Sequence, residues 1–150
     1  GTGNKKEEYK QYIKESDLEK NVHLLGYRTD IANILSVSNM AVSTSIREGL
    51  PLNVIEYCLN NLPVVVTKNR GHIEIIEDGK NGYIIDLNNK KKLEEKILYI
   101  YYHYAQEVEK MNKSHYMVEK FLLSNVEKEM KKIYMENENL KIKSKKRKGE

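Results

Sequence analysis

The chain reads as an α/β protein on a doubly wound parallel sheet, and three observations carry that reading. Short apolar runs suited to buried strands, at residues 22–25, 40–43, 64–66 and 83–85, alternate with segments of helical periodicity. Turn residues punctuate them at Gly26, Gly49-Leu50-Pro51, Asn60-Asn61 and Asn81-Gly82. The length, 150 residues, is one domain's worth and enough for a single core.

Taken in order, a polar helix is expected over about residues 4–15, with Tyr9, Tyr12 and Ile13 on its apolar face. Residues 22–25 follow as a strand, and Asp30 is a good N-cap for a short helix through Ile31, Ile34 and Leu35. Residues 40–43 form the next strand. A helix then starts at Leu52, with Pro51 in its first turn, where a missing N–H costs nothing, and Asn60-Asn61 stopping it. The 64–66 strand leads to a helical turn around Ile73-Glu74-Ile75-Ile76 and a short strand entered through Asn81-Gly82. Asn88 or Asn89 caps a helix carrying Leu93, Ile97, Ile100, Tyr101 and Tyr104. A final helix carries Val118, Leu122, Val126, Met130 and Ile133 at spacings of three and four. The folded domain is expected to span 1–137, with 138–150 as a basic, disordered tail.

Charge is concentrated at that end. Residues 141–150 hold six basic residues against Glu150, a net +5, whereas the whole chain is +4, so the first 140 residues sum to −1. Each basic residue near an anionic lipid surface contributes roughly 1 kcal/mol, which makes an anionic membrane surface one partner for the tail; a solvated end is the alternative. Nucleic acid is not an expected partner, because no reader module accompanies the basic residues. No apolar stretch is long enough to span a bilayer. The one cysteine, Cys58, falls mid-helix as a buried thiol, compatible with the cytoplasm. Four scattered histidines offer no zinc spacing, and no metal is expected. His23 is expected to pack in a strand and His103 and His115 to lie on the surface. Eleven tyrosines stand against one Phe and no Trp; the group Tyr99, Tyr101, Tyr102 and Tyr104 suits packing with wet phenol tips, or a surface for a partner.

The candidate chemistry lies at Glu48-Gly49-Leu50-Pro51-Leu52-Asn53-Val54-Ile55-Glu56. Here a strand, a tight turn and a helix place Glu48 in the turn and Glu56 about two turns into the helix. Free amides and the positive dipole end at the helix head suit a phosphate, and Glu56 is a good acceptor for sugar hydroxyls. Amides for phosphates beside a carboxylate for a diol suit a nucleotide. From spacing alone, two solvated helix charges are an equal alternative.

Five segments resemble the family 4, or group 1, glycosyltransferases in order and spacing over roughly residues 1–136. Val22 to Asp30 is similar to their V-x-F/L-x-G-y-x-x-D segment, and Ser43 to Pro51 to their S-x-x-E-G-x-P/G turn. Glu48 and Glu56 match their Glu-x7-Glu motif. Asn61 to Thr67 resembles G-x-P-V-V-x-T, and Arg70 to Tyr83 resembles G-G-x-x-E-x-I-x-D-G-x-N-G-x. Lys120-Phe121 and Ile133-Tyr134 are similar to the closing k-F … m-x-x-i-Y pattern.

The resemblance implies one Rossmann-like half of a GT-B fold, the half that binds a nucleotide-sugar donor. It implies retaining transfer of a sugar, with a UDP-sugar the expected donor, to a glycan or lipid-linked acceptor in polysaccharide biosynthesis. The donor is a substrate, and no cofactor is implied. Glu48 would contact the transferred sugar; Gly49, Leu50 and Pro51 would face the diphosphate; Glu56 would bind the ribose; Tyr27 and Arg28 would border the base. Thr44, Arg47 and His72 are further donor contacts. Gly1-Thr2-Gly3 looks like the G-x-G closing the family's first strand. That strand, the diphosphate-binding Arg and Lys, and the N-terminal half are expected in a segment or subunit outside this chain, which would bind donor without turnover. The alternative is a non-catalytic subunit or interaction module of a split glycosyltransferase. The expected location is cytoplasmic, peripheral at the inner membrane face.

Overall fold

The computed structural model describes residues 3–147, and side chains through residue 135. Gly1 and Thr2 of the Gly-x-Gly motif lie outside the described residues, as do the side chains of the basic segment. Contacts divide the chain into two compact units, Gly1–Val37 and Ser38–Glu150.

In the first unit, α1 (Lys6–Glu15) buries no residue, and the Tyr9 and Tyr12 rings of its expected apolar face are exposed. It ends in a Schellman turn: Asp17 takes positive φ, its N–H bonds Lys14 O, and Leu18 N–H reaches back to Ile13 O at 2.9 Å. The expected strand at 22–25 is a correction, because the segment pairs with no strand among the described residues and Val22, Leu24 and Leu25 are exposed. An apolar run supplies one side of a ladder, and a strand exists only with its neighbour. His23, expected to pack there, is exposed. The second helix, α2 (Ile31–Ser36), has Asp30 at its N-cap position, yet the carboxylate makes no cap bond. Arg28 has taken it, with Nε and Nη2 donating to Oδ1 and Oδ2 at 2.8 and 2.6 Å. That bidentate pair holds the Asp30 carboxyl below its usual range and the Arg28 guanidinium above.

The second unit is built on a three-stranded parallel sheet, β1 (Ala41–Ser43), β2 (Val64–Thr67) and β3 (Tyr83–Ile85), in that order. Ala41 pairs with Val64, and Val65 with Tyr83. Between β1 and β2 runs α3 (Leu52–Leu59), and between β2 and β3 runs α4 (Arg70–Ile75). After β3 come α5 (Lys90–Tyr102), α6 (Tyr104–Ser114), α7 (Tyr116–Glu119) and α8 (Leu123–Arg147).

All four residues of β2 are buried, as expected for a strand covered on both faces. Val65 packs with Tyr83, Ile85 and Ile100, and with the half-buried Leu93 of α5. Val64 and Val66 alternate to the opposite face, and α3, which turns Val54, Ile55 and Cys58 inward, also packs on β2. A β-carbon on Gly82 would stand 2.7 Å from Val64 Cγ1, so only glycine lets the chain enter β3 this closely. On the outer side of β3, the Ile84 N–H donates to the Asp78 carboxylate at 2.8 Å. Tyr83 reaches across to α6, where its hydroxyl donates to the buried Glu107 and Lys110 Nζ donates to both Glu107 oxygens. Burial pushes the Tyr83 phenol up; burial opposes the charge on Lys110, but the Glu107 carboxylate and Tyr83 outweigh it and hold the ammonium above its usual range.

Three boundaries differ from expectation. Asn89 caps α5 by accepting from Lys92 N, while Tyr104 begins α6 instead of ending α5. The stripe expected as one final helix is broken between α7 and α8, with Val118 before the break and Leu122 in it; a stripe at spacings of three and four continues through a turn without a sequence mark. The helix α8 also runs through Arg147, where a disordered tail from 138 was expected. The segment 138–147 lacks Gly and Pro and is rich in Lys, good material for a helix.

Candidate functional site

The loops that leave the carboxyl ends of the strands form the candidate site, the place where open α/β sheets bind ligands. From Ser43, the chain passes through Thr44, Arg47 and Glu48 to Gly49, Leu50 and Pro51, then enters α3. Pro51 occupies the N-cap position, one place before the helix, with φ near −77°. Val54 and Ile55 donate to the Pro51 carbonyl at 3.0 and 3.2 Å. This leaves the amides of Leu52 and Asn53, at the helix head, without an acceptor among the described residues. Arg47, Gly49 and Leu50 are exposed and Glu48 is half-buried. Glu56 stands one turn into α3, where two were expected, and faces away from the buried Val54, Ile55 and Cys58, on the same exposed side as Leu52. Neither Glu48 nor Glu56 has an ion-pair partner among the described residues, so both carboxylates are available.

The helix itself is closed firmly. Asn61, with φ 55°, ends α3 in a second Schellman turn: its N–H bonds Cys58 O, and Leu62 N–H bonds Tyr57 O at 3.0 Å. His115, half-buried where a surface position was expected, donates from Nδ1 to Asn61 Oδ1 at 3.0 Å. Cys58 is buried as expected, and burial pushes its thiol up to about 12.

His72 is placed differently from the expected donor contact, and this is a correction. It is fully buried. Its Nδ1 lies 2.6 Å from the Thr67 carbonyl, which can only accept, so Nδ1 carries the proton. Its Nε2 then accepts from the Ser43 hydroxyl at 3.2 Å. Both ring nitrogens are occupied inside the protein, leaving none for a sugar.

Around His72 lies a set of groups that the sequence reading missed. The Thr67 hydroxyl donates to the Ser45 carbonyl at 2.6 Å. Asn69 Nδ2 donates to the same carbonyl at 2.9 Å, while Asn69 Oδ1 caps α4 by accepting from His72 N at 3.0 Å. Gly71 completes the contact: a β-carbon there would meet Gly49 O at 2.7 Å, Glu48 Cβ at 2.8 Å and Glu48 O at 2.9 Å. Only Asn69, a cap residue before an apolar turn, carried a signal that could have flagged the group.

On the α5 side of the strand ends is an open cavity of about 350 Å³, lined by Thr44, Ile46, Thr67, Ile85, Asn88 and Leu93 among others. The structure therefore brings Thr44, Arg47, Glu48, Gly49, Leu50, Pro51 and Glu56 onto one turn and the helix it feeds. Tyr27 and Arg28 belong to the Gly1–Val37 unit, where Tyr27 is exposed and Arg28 is tied to Asp30.

Three comparisons bear on this geometry. The family model described as glycosyl transferases group 1 matches residues 1–120. The poly(ribitol-phosphate) alpha-N-acetylglucosaminyltransferase of Staphylococcus aureus is 38% identical over 99 residues, covering 65% of this chain and 20% of that protein. The Escherichia coli UDP-Gal:alpha-D-GlcNAc-diphosphoundecaprenol alpha-1,3-galactosyltransferase is 36% identical over 78 residues, covering 52% of this chain and 20% of the relative. Among solved structures, an S. aureus TarM variant in complex with Fondaparinux, alpha-GlcNAc-glycerol and UDP superposes with a TM-score of 0.76 at 33% identity, over 86% of this chain and 27% of that one. The chain thus spans about a quarter or less of the length of the relatives it matches. Among the described residues, no helix is long and apolar enough to cross a membrane.

Proposed function

From the premise that this chain belongs to the group 1 glycosyl transferases, we propose that it is a donor-binding domain for a nucleoside-diphosphate sugar, with a UDP-sugar as the donor. The observation that carries the reading is the turn from Thr44 to Pro51 entering α3, exposed at Thr44, Ile46, Arg47, Gly49 and Leu50 although Pro51 itself is buried, with Glu48 and Glu56 free of ion-pair partners among the described residues.

Each group has a task. The helix-head amides and the dipole of α3 favour the diphosphate, and as the bond to the sugar breaks they stabilise charge gathering on the leaving nucleotide. Arg47 adds a positive group to the same turn. Glu56, an acceptor with two oxygens, takes hydrogen bonds from the vicinal ribose hydroxyls. Glu48, in the turn itself, meets the transferred sugar. The donor is a substrate, and the diphosphate charge is met by amides and Arg47 in place of a metal. The acceptor is a glycan or lipid-linked sugar, met by an N-terminal half or partner subunit. The protein works in polysaccharide biosynthesis at the cytoplasmic side of a membrane, which the basic C-terminal segment approaches.

Calorimetric titration of the chain with UDP tests the ribose assignment. Losing a charge-assisted hydrogen bond costs about 1.5–3 kcal/mol, so Glu56→Ala should weaken UDP binding by at least about tenfold. Unchanged affinity would exclude Glu56 as the ribose ligand.

A further inference from the structure

We infer that Thr67 and Asn69, aided by His72 and Gly71, are positioning residues that set where Glu48 meets the donor sugar, an inference that rests on the donor-binding reading above. The polar groups of Thr67, Asn69 and His72 are hydrogen-bonded within the protein, and they act on the turn that carries Glu48.

The geometry is a two-donor clamp on one carbonyl. Ser45 O accepts from Thr67 Oγ1 at 2.6 Å and from Asn69 Nδ2 at 2.9 Å. A carbonyl oxygen has two lone pairs, and these two donors use both. One residue pair before it, the Ser43 hydroxyl is held by buried His72 Nε2. Three residues after it, Glu48 and Gly49 lie against Gly71 so closely that no β-carbon fits. The turn is therefore fixed at Ser43, at Ser45 and at Glu48-Gly49, all by residues of β2 and the start of α4. Those anchors are themselves rigid: Thr67 ends a fully buried strand and His72 is fully buried. The segment between the anchors, Ile46 and Arg47, is exposed. The arrangement allows these two residues to vary their side chains while the Glu48 carboxylate stays in register with the head of α3. A loop lacking these anchors would have to order itself on binding, at a cost in affinity.

The test separates positioning from general stability. Thr67→Val keeps shape and removes the donor; Thr67→Ser keeps the donor. Amide hydrogen exchange of residues 44–50 is measured on the free chain. UDP and a panel of UDP-glucose, UDP-galactose and UDP-N-acetylglucosamine are then titrated against each form. Thr67→Val should speed exchange in 44–50 about fivefold, hold UDP affinity within about twofold, and abolish the preference for the best UDP-sugar over UDP, with Thr67→Ser restoring both. Unchanged exchange in 44–50, equal weakening of UDP and UDP-sugar, or protection lost throughout the chain would each overturn the inference. If the unaltered chain binds no UDP, the donor-binding reading fails, whereas UDP binding with an unmoved sugar preference in Thr67→Val sinks only the positioning role.

Discussion

Gly71→Ala probes the contact between α4 and the Glu48 turn with one methyl group. Gly71 is the second residue of α4, and its φ lies outside the left-handed region, so alanine is conformationally acceptable there. By helix propensity alone the substitution should stabilise by about 1 kcal/mol. The new β-carbon, however, would meet Gly49 O, Glu48 Cβ and Glu48 O at 2.7, 2.8 and 2.9 Å. Carbon contacts settle at ~3.5–4.0 Å, so the turn must retreat by close to ~1 Å. Two of the three obstructing atoms are backbone oxygens in a turn held at Ser45, so no side-chain rotation relieves the overlap. Inserted methyl groups in packed regions cost about 1–3 kcal/mol, which outweighs the propensity gain. The net loss should be about 1 kcal/mol, a fall of ~2–4 °C in Tm for a chain of this size. Displacing Glu48 should also remove the sugar contact proposed for it, lowering affinity for the preferred UDP-sugar about tenfold while UDP binding changes little. Gly79→Ala is the control: its surroundings are open but its φ is +77°, so it should cost backbone strain of about 1–2 kcal/mol and leave the sugar preference alone. A Gly71→Ala chain that melts higher and binds UDP-sugar normally would refute the reasoning.

Two further outcomes follow from the core beneath the site. Buried Cys58 keeps its proton up to about pH 12, whereas an unfolded thiol ionises from about pH 8.5. The unfolded state therefore binds fewer protons above that pH, and the contribution of Cys58, complete below pH 8.5, is lost as pH rises towards 12, by up to ~1.4 kcal/mol per pH unit. Urea unfolding at pH 7, 9 and 10 should show the stability advantage over Cys58→Ala shrinking; a constant difference would contradict the burial argument. At Asn61, glycine relieves the left-handed backbone but loses the bond to His115, two terms of about 1 kcal/mol that nearly cancel. Asn61→Ala loses the bond and keeps the strain, so it should cost about 1–2 kcal/mol against under ~0.5 kcal/mol for Asn61→Gly, and equal urea midpoints for the two would refute this.

Legibility in the sequence followed the range of the forces involved. Strands β1, β2 and β3 stand where the apolar runs and turn residues put them, and α3 starts after Pro51 and stops at Asn60-Asn61, because these signals act within a few residues. The segment at 22–25 has the same composition as a strand, but pairing needs a neighbour that the composition cannot supply. Arg28 and Asp30 had separate tasks in the sequence reading; two residues apart, they bonded to each other. His72 failed for a different reason: its motif marks a turn near a ligand, while its burial depends on Ser43 and Thr67, 29 and 5 residues away. The two donors on Ser45 are likewise long-range bonds to a main-chain atom, which no side-chain pattern records.

The bond from Ile84 N–H to Asp78 has a consequence for how the molecule meets its own kind. Outer strand β3 would otherwise present a bare amide to solution, the group through which one sheet recruits another. The Asp78 carboxylate occupies that donor and places negative charge beside it. A second chain approaching this border would have to displace a charged acceptor and then leave it unsolvated. At three residues, the border is also too short to repay that cost through a new ladder. One aspartate in the Glu77–Gly82 turn thus keeps the sheet finite at that side, and growth by lateral addition is discouraged without any bulky shield.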